Sequence, residues 1–133
     1  MANKIDKFIY WTPRVLAVFF VAFLAMFSLD VFEPGKSAAE IAAGLLVHNV
    51  PVLFLAAVVA ISWKREIVGG ITFILAGIFY IVMVTAGVLK SGFEWYMASW
   101  FLTISAPAFL IGALFLWGWH RKRAQKANLF DKK

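Results

Sequence analysis

The apolar run AAEIAAGLLVHNVPVLFLAAVVAIS, at residues 38–62, decides the fold class of the chain. About 20 apolar residues, each rising about 1.5 Å in a helix, cross a hydrocarbon core about 30 Å thick. Ser37 and Glu40 form a Ser-x-x-Glu capping box at the start of the run, which predicts that a helix begins there. The run therefore predicts a transmembrane helix.

Three more apolar runs, at about residues 13–31, 67–89 and 94–119, have a similar length and character. Hydrophobic residues make up 63% of the 133 residues, whereas an ordinary soluble domain is about 45–50% apolar. A soluble core could not cover four such runs in so short a chain. We predict an all-α polytopic membrane protein: one transmembrane domain over residues 1–133, a four-helix bundle, with a basic tail over 120–133.

Prolines and short polar connections mark the ends of the predicted spans. Pro13, with Thr12 before it as a cap, is predicted at the first helical position of the first span. No small-x-small cleavage pattern follows this span, so we interpret it as a retained helix and not as a signal peptide. The connection at 63–66 is so short that the second and third spans are predicted to form an antiparallel hairpin. Pro107 is expected in the middle of the fourth span.

Lysine and arginine are distributed unequally between the two sides of the predicted bundle. One side has only Lys36 and Lys90. The other has eleven basic residues: Lys4, Lys7, Arg14, Lys64, Arg65, Arg121, Lys122, Arg123, Lys126, Lys132 and Lys133. Because basic connections normally stay in the cytoplasm, both termini are predicted inside. We expect the basic tail to bind anionic lipid headgroups. No nucleic-acid partner is expected, since there is no basic groove with interleaved aromatic residues.

A histidine, an asparagine and a proline lie well inside the second span, where unpaired polar groups are costly. One hypothesis is that His48 and Asp30 form a proton-sensitive or ligand-contacting pair, with Asn49 nearby, in a cavity open to the outside. The other is that His48 is packed and bonds the Val47 carbonyl, which Pro51 frees, or a neighbouring hydroxyl, while Asp30 is hydrated at the interface. The sequence leaves both hypotheses open.

Other residues in the spans are interpreted as structural. Arg14 and Glu66 both lie at the inner boundary, where they would form a salt bridge, or Arg14 would reach lipid phosphate instead. Glycines at one face of the third span favour close helix packing, inside the bundle or in a dimer. The residues given a structural role are Pro51, Pro107, Arg14, Glu66, Gly70 and Gly77, together with Gly87.

No cofactor, metal site or catalytic centre is expected. The chain has no cysteine and two histidines, and His120 lies at the opposite boundary from His48. A b-type haem or a structural metal would need a second nearby ligand. Ser99, Thr103 and Ser105 could face His48, but nothing in their spacing distinguishes a nucleophile from the hydroxyls that commonly join membrane helices. The chain is therefore not expected to be an enzyme.

Several short segments carry a resemblance: YWTPR at 10–14, LDVF at 29–32, HNVP at 48–51, WKREIVGG at 63–70 and AP at 106–107. With these segments the chain resembles a group of small four-span prokaryotic membrane proteins of unknown function. The likeness covers nearly the whole chain, and the Trp-Lys-x-Glu-x-x-Gly-Gly hairpin is its most specific part. The resemblance implies a multi-pass protein of a prokaryotic plasma membrane, and it implies no particular activity.

Two hypotheses about function follow from these observations. The leading one is a non-enzymatic structural or accessory subunit that packs with itself or with a larger membrane complex. The alternative is a small transporter or channel with a polar site at His48 and Asp30, beside a kink at Pro51. The two differ in whether His48 is needed for a pH-dependent flux.

Overall fold

The computed structural model describes residues 3–132, and this part of the chain is helical without a strand. The helices are α1 Lys4–Met26, α2 Ala38–Ser62, α3 Glu66–Ser91, α4 Trp95–Trp100 and α5 Ala106–Asp131. A 3₁₀ turn, Phe27–Val31, extends α1, and a π-helical turn, Phe101–Ser105, joins α4 to α5. Four stretches are long and apolar enough to cross a membrane: Lys4–Val31, Ala38–Ser62, Glu66–Ser91 and Trp95–Asp131. The predicted all-α fold class with four spans is confirmed.

The helices form a ring in which α1 contacts α2, α2 contacts α3, α3 contacts α5 and α5 contacts α1. Aromatic side chains fill its centre. Phe73 of α3 stacks on Phe115 of α5 with ring centroids 6.3 Å apart, and Phe20 of α1 meets Phe73 edge-on at 6.1 Å. Phe73 and Phe115 are completely buried. These three rings join both halves of the chain in one core.

The first helix begins well before its predicted start. Lys4 is its first residue, and the Asn3 N–H donates to the Asp6 carboxylate at 3.3 Å in a capping box. Pro13 therefore lies inside α1 and not at its first position, which corrects the prediction. Proline leaves the carbonyl four residues earlier without its helical donor. Next to this weak point, the Tyr10 carbonyl accepts a bond from the Arg14 guanidinium. By contrast, the Ser37–Glu40 capping box of α2 is confirmed.

The fourth span contains Pro107 well inside it, as predicted, but the helix is irregular just before the proline, where the π turn lies. A π turn is one way in which a helix accommodates a missing N–H. The span ends later than predicted, because α5 continues through the basic tail to Asp131. No glycine or proline follows Gly118, so nothing in the sequence stops the helix at the predicted boundary.

The chain ends extend beyond the length that a bilayer needs. Lys4–Val31 has 28 residues and Trp95–Asp131 has 37, which correspond to about 42 and 55 Å against a hydrocarbon core of about 30 Å. Both extensions lie at the same end of the bundle, where Arg121 pairs with Asp6 at 3.1 Å. We call this end, with the connection 63–65, the basic end, and the opposite end, with the connections 32–37 and 92–94, the far end.

The aromatic core cluster lies in the half of the bundle near the basic end, while in the far half Ser28 and Val31 of the 3₁₀ turn are buried against α2. All buried residues of α2 lie between Val52 and Ser62, and all those of α3 lie between Glu66 and Gly77. Helix α4 has no buried residue. The far parts of α2, α3 and α4 are therefore packed much more loosely than the half that contains the aromatic core.

Candidate functional site

A buried guanidinium lies at the basic end of the core. Arg14 is 0% exposed. Its guanidinium donates to the carbonyl of Tyr10, to the carbonyl of Trp63 at 3.2 Å and to Glu66 Oε1 at 2.9 Å. It also stacks over the Tyr10 ring, with 3.6 Å from Cζ to the ring centroid. Its Nε is buried without a partner among the described residues. Arg14 thereby connects α1 to the hairpin of α2 and α3.

One carboxylate serves two cations in this cluster. Glu66 is 6% exposed, and its Oε1 accepts from Arg14 Nη2 at 2.9 Å and from Lys122 Nζ at 2.7 Å. Of the two alternatives for Arg14, the structure has the salt bridge. Lys122 was not singled out by the sequence analysis. The signal for it is its helical register, because Lys122 follows the buried Phe115 by two turns and so lies on the same face of α5.

A cavity of about 750 Å³ opens between the start of α1 and the tail of α5. It lies against the charged cluster and has a mixed lining of charged, aromatic and apolar side chains. The residues that matter for its charge and depth are Asp6, Lys7, Trp11, Glu66, Arg121, Lys122, Leu129 and Lys132. The lining thus has four cationic side chains and two carboxylates, and both carboxylates are in salt bridges. This is an electropositive pocket at the basic end.

The structure does not bring His48 and Asp30 into an ion pair. Both side chains are exposed, and His48 Nδ1 lies 3.3 Å from the Gly44 carbonyl of its own helix. Within residues 3–132 no salt bridge or hydrogen bond joins the two. The arrangement also differs from the packed alternative, because His48 is not buried and bonds a carbonyl other than that of Val47. A proton- or ligand-binding role for His48 stays a prediction.

Asn49 has a structural position between two helices. Its Nδ2 donates to the Leu45 carbonyl at 2.8 Å, and its Oδ1 accepts from Ser28 Oγ at 3.1 Å. Ser28 belongs to the 3₁₀ turn that ends the first span, and Val31 of the same turn packs on Gly44. These contacts hold α2 against α1 in the far half and give each polar atom of the Asn49 amide a partner in the 3₁₀ turn or in α2.

In the far half, residues on the inward faces of α2 and α3 are not buried by other parts of the described chain. Helical periodicity puts His48 on the same face as the buried Leu55, Val59 and Ser62, yet His48 is exposed. On α3, Val84 and Gly87 fall on the face of the buried Phe73. Val84 is only half-buried, and an added Cβ at Gly87 would meet nothing within 4 Å. We call these weakly covered positions on the inward faces of α2 and α3, His48, Val84 and Gly87, the far cleft.

The glycines of α3 also differ between the two halves of the bundle. An added Cβ at Gly70 would lie 2.6 Å from Leu116, and one at Gly77 would lie 3.0 Å from Phe109, so both glycines permit close packing on α5. Gly87, farther along, permits an approach that no described residue makes. Gly70 and Gly77 thus have the close helix contacts that were predicted for them, while Gly87 has none and belongs to the far cleft.

Comparison with known proteins assigns the chain to a protein family. Residues 1–128 match a family model described as Domain of unknown function (DUF7670). The chain belongs to this family. No curated protein and no solved structure matches it. Family membership and the four apolar helices together identify a small multi-pass membrane protein.

The hydroxyls that the sequence offered as nucleophile candidates are used locally in this DUF7670 chain. Ser99 Oγ donates to the Tyr96 carbonyl at 2.6 Å, and Thr103 Oγ1 donates to the Ser99 carbonyl at 2.7 Å. The Ser105 hydroxyl is buried in the π turn without a partner among the described residues. Two features therefore remain that could bind something: the electropositive pocket and the far cleft.

Proposed function

We propose that this chain is a non-enzymatic accessory protein of a membrane complex, which receives a transmembrane helix of another subunit in its far cleft. One observation supports the proposal above all. The inward faces of α2 and α3 continue past the core, but at His48 and Gly87 nothing in the described chain covers them. We further propose that the membrane is a prokaryotic plasma membrane, with the basic end in the cytoplasm.

The basic end supports this proposal because its charged cluster joins three helices of the chain. Arg14, Glu66 and Lys122 join α1, α3 and α5, and Phe73 and Phe115 close the core directly beside them. Such an end works as a fixed base that holds the helices together. A bundle that is tightly packed near one end and loosely packed near the other is suited to receive a partner helix at the loosely packed end.

The chemistry of the cleft favours protein as its occupant. A polar side chain exposed to hydrocarbon is costly, and polar groups inside a membrane usually find a protein partner. His48 lies about 15 Å along α2 from its first residue, given about 1.5 Å per residue. A helix from another subunit could supply a hydrogen-bond partner to His48 Nε2, which has none among the described residues. Gly87, with Ala86 beside it, is the type of residue that lets two membrane helices approach closely.

A small transporter or channel is the second candidate, and the exposure of His48 on an inward face is the observation that favours it. In that case the far cleft would hold water and substrate, and His48 would change its protonation there. The two functions differ in what fills the cleft, and a cysteine experiment can determine this directly.

The chain has no cysteine, so a single introduced thiol is unique. Val84→Cys puts it in the far cleft. Val82→Cys is a matched control, since Val82 has the same side chain on the same helix but is 60% exposed on the outer face. Each variant is labelled in its native membrane with a benzophenone maleimide and irradiated. A parallel sample receives a maleimide that cannot cross the membrane.

Under the proposal, the label at residue 84 gives one cross-linked product of defined mass, identifiable by mass spectrometry as a particular subunit, and the label at residue 82 gives none. Labelling of Val84→Cys but not Val82→Cys by the impermeant reagent would favour the transporter instead. Cross-linking to lipid alone at both positions would contradict the accessory role.

A further inference from the structure

The electropositive pocket at the basic end has a composition that fits one class of ligand. We propose that it binds the headgroup of an anionic glycerophospholipid, with the phosphate between Lys7 and Lys132 and the start of the acyl chains along the apolar part of the lining. The inference is independent of the accessory function, because it concerns the opposite end of the bundle and a different kind of ligand.

The charge of the pocket is the first argument. Its two carboxylates are already compensated: Asp6 pairs with Arg121 at 3.1 Å, and Glu66 pairs with Lys122 at 2.7 Å and with Arg14 at 2.9 Å. Lys7 and Lys132 also line the pocket, and in the described part of the chain neither is in a salt bridge. The unbalanced charge is therefore positive, which favours an anionic group and disfavours the choline of a zwitterionic lipid.

The position of the pocket is the second argument. It lies where α1 and α5 extend beyond the length that crosses the hydrocarbon core, at the level expected for lipid headgroups. Trp11 lines it and is 54% exposed, as is usual for a tryptophan at a membrane interface. Ile9 and Leu129 line it as well, so the lining offers apolar surface beside the cations. A lipid has both parts, whereas free phosphate has only one.

The volume agrees with this ligand. A cavity of about 750 Å³ lies within the range of about 300–1,000 Å³ that is usual for small-molecule sites. It can hold a headgroup with its glycerol. The rest of the lipid would remain in the bilayer beside α1.

The test uses the full chain, purified and reconstituted with equal amounts of phosphatidylglycerol and phosphatidylcholine, with retained lipid measured by native mass spectrometry. The variant Lys7→Gln/Lys132→Gln removes the two uncompensated cations. Lys126→Gln is the control on the same tail, since Lys126 is exposed and does not line the pocket. All three lysines are exposed, so the variants are expected to fold.

We expect wild type to retain phosphatidylglycerol in preference to phosphatidylcholine. The Lys7→Gln/Lys132→Gln variant should weaken that retention about 25-fold, at about fivefold per lysine, while Lys126→Gln should leave it within about twofold of wild type. Equal retention of the two lipids would overturn the proposal, as would an equal loss in Lys126→Gln. Displacement of the lipid by millimolar inorganic phosphate would assign the pocket to a soluble anion and overturn the lipid assignment.

Discussion

Arg14 shows how a full positive charge is accommodated inside this small bundle. Moving an ion out of water costs several kcal/mol even after relaxation, and the cost is offset only when hydrogen bonds and counter-charges are well placed. Arg14 has two backbone carbonyls, one carboxylate and the face of Tyr10 around it. The carboxylate is the critical member, because Glu66 is the only acidic partner of both Arg14 and Lys122 in the described chain.

Two substitutions in this cluster should differ in how much they lower the stability of the protein. Glu66→Gln leaves the buried Arg14 without a counter-charge and should lower the free energy of unfolding by about 3–5 kcal/mol. Lys122→Gln should cost about 1 kcal/mol or less, because the Lys122 side chain is 53% exposed and can be hydrated. Thermal unfolding of the two purified variants in the same detergent measures the difference.

A double variant separates loss of charge pairing from loss of packing. Arg14→Met/Glu66→Met removes both buried charges and should be less destabilised than Glu66→Gln alone, since no uncompensated charge remains buried. A double variant that is clearly less stable than the single one would mean that the guanidinium contributes through its carbonyl bonds and ring contact. Similar stability of Glu66→Gln and Lys122→Gln would contradict the central role of Glu66.

At the scale of the helices, the contact of α3 with α5 depends on missing side chains. An added Cβ at Gly112 would lie 2.8 Å from Ile74 and 3.0 Å from the Gly70 carbonyl. Backbone cannot move aside as a flexible side chain can. The closeness of these two helices is what lets Phe73 and Phe115 stack in the centre.

Two glycine-to-alanine changes should therefore have different effects on the stability of the purified protein. Gly112→Ala should lower the free energy of unfolding by about 1–3 kcal/mol, because the helices must separate. Gly87→Ala has nothing within 4 Å to meet and should be neutral or stabilising by up to about 1 kcal/mol, through helix propensity. Thermal unfolding compares them, and equal destabilisation by both changes would contradict the loose packing of the far half.

The helices also show what the sequence can and cannot predict about such a bundle. The Ser37–Glu40 cap is a local pattern, and the structure has it as predicted. The position of Pro13 was predicted wrongly, because Thr12 and Pro13 also form a local start signal, whereas the helix begins earlier, at the Asn3–Asp6 capping box. The tail was assigned by charge, whereas its helix continues because nothing stops it.

At the scale of the whole molecule, the fold class followed from hydropathy alone, but the candidate sites did not. Arg14 and Glu66 were recognisable because both lie at the same predicted boundary. Lys122 was not, because the tail was assigned by its charge, and the register that puts Lys122 on the face of Phe115 depends on a helix that continues through the tail. For His48 the helical face could be read from the sequence. That this face would be uncovered depends on how far α2 and α3 remain packed, and hydropathy contains no information on that.

The uneven core predicts uneven local stability. Buried contacts hold the half of α3 from Glu66 to Gly77, while the half beyond it has no buried residue. Local opening costs less where few apolar contacts must be broken. In detergent, amide hydrogen exchange should be slower by an order of magnitude or more over 70–77 than over 80–87. Uniform protection along α3 would show that the far half is as stable as the core.

The pairing of the two ends of the chain also sets an order of events during synthesis. Arg14 can meet Glu66 once the third span has left the ribosome, but Lys122 and Arg121 reach their carboxylates only after the last span has followed. Until then Phe73 presents an open face to the translocation machinery. The newly made protein thus waits for its fourth span before it becomes a closed ring, and a message truncated before Trp95 would yield three inserted helices and no finished bundle.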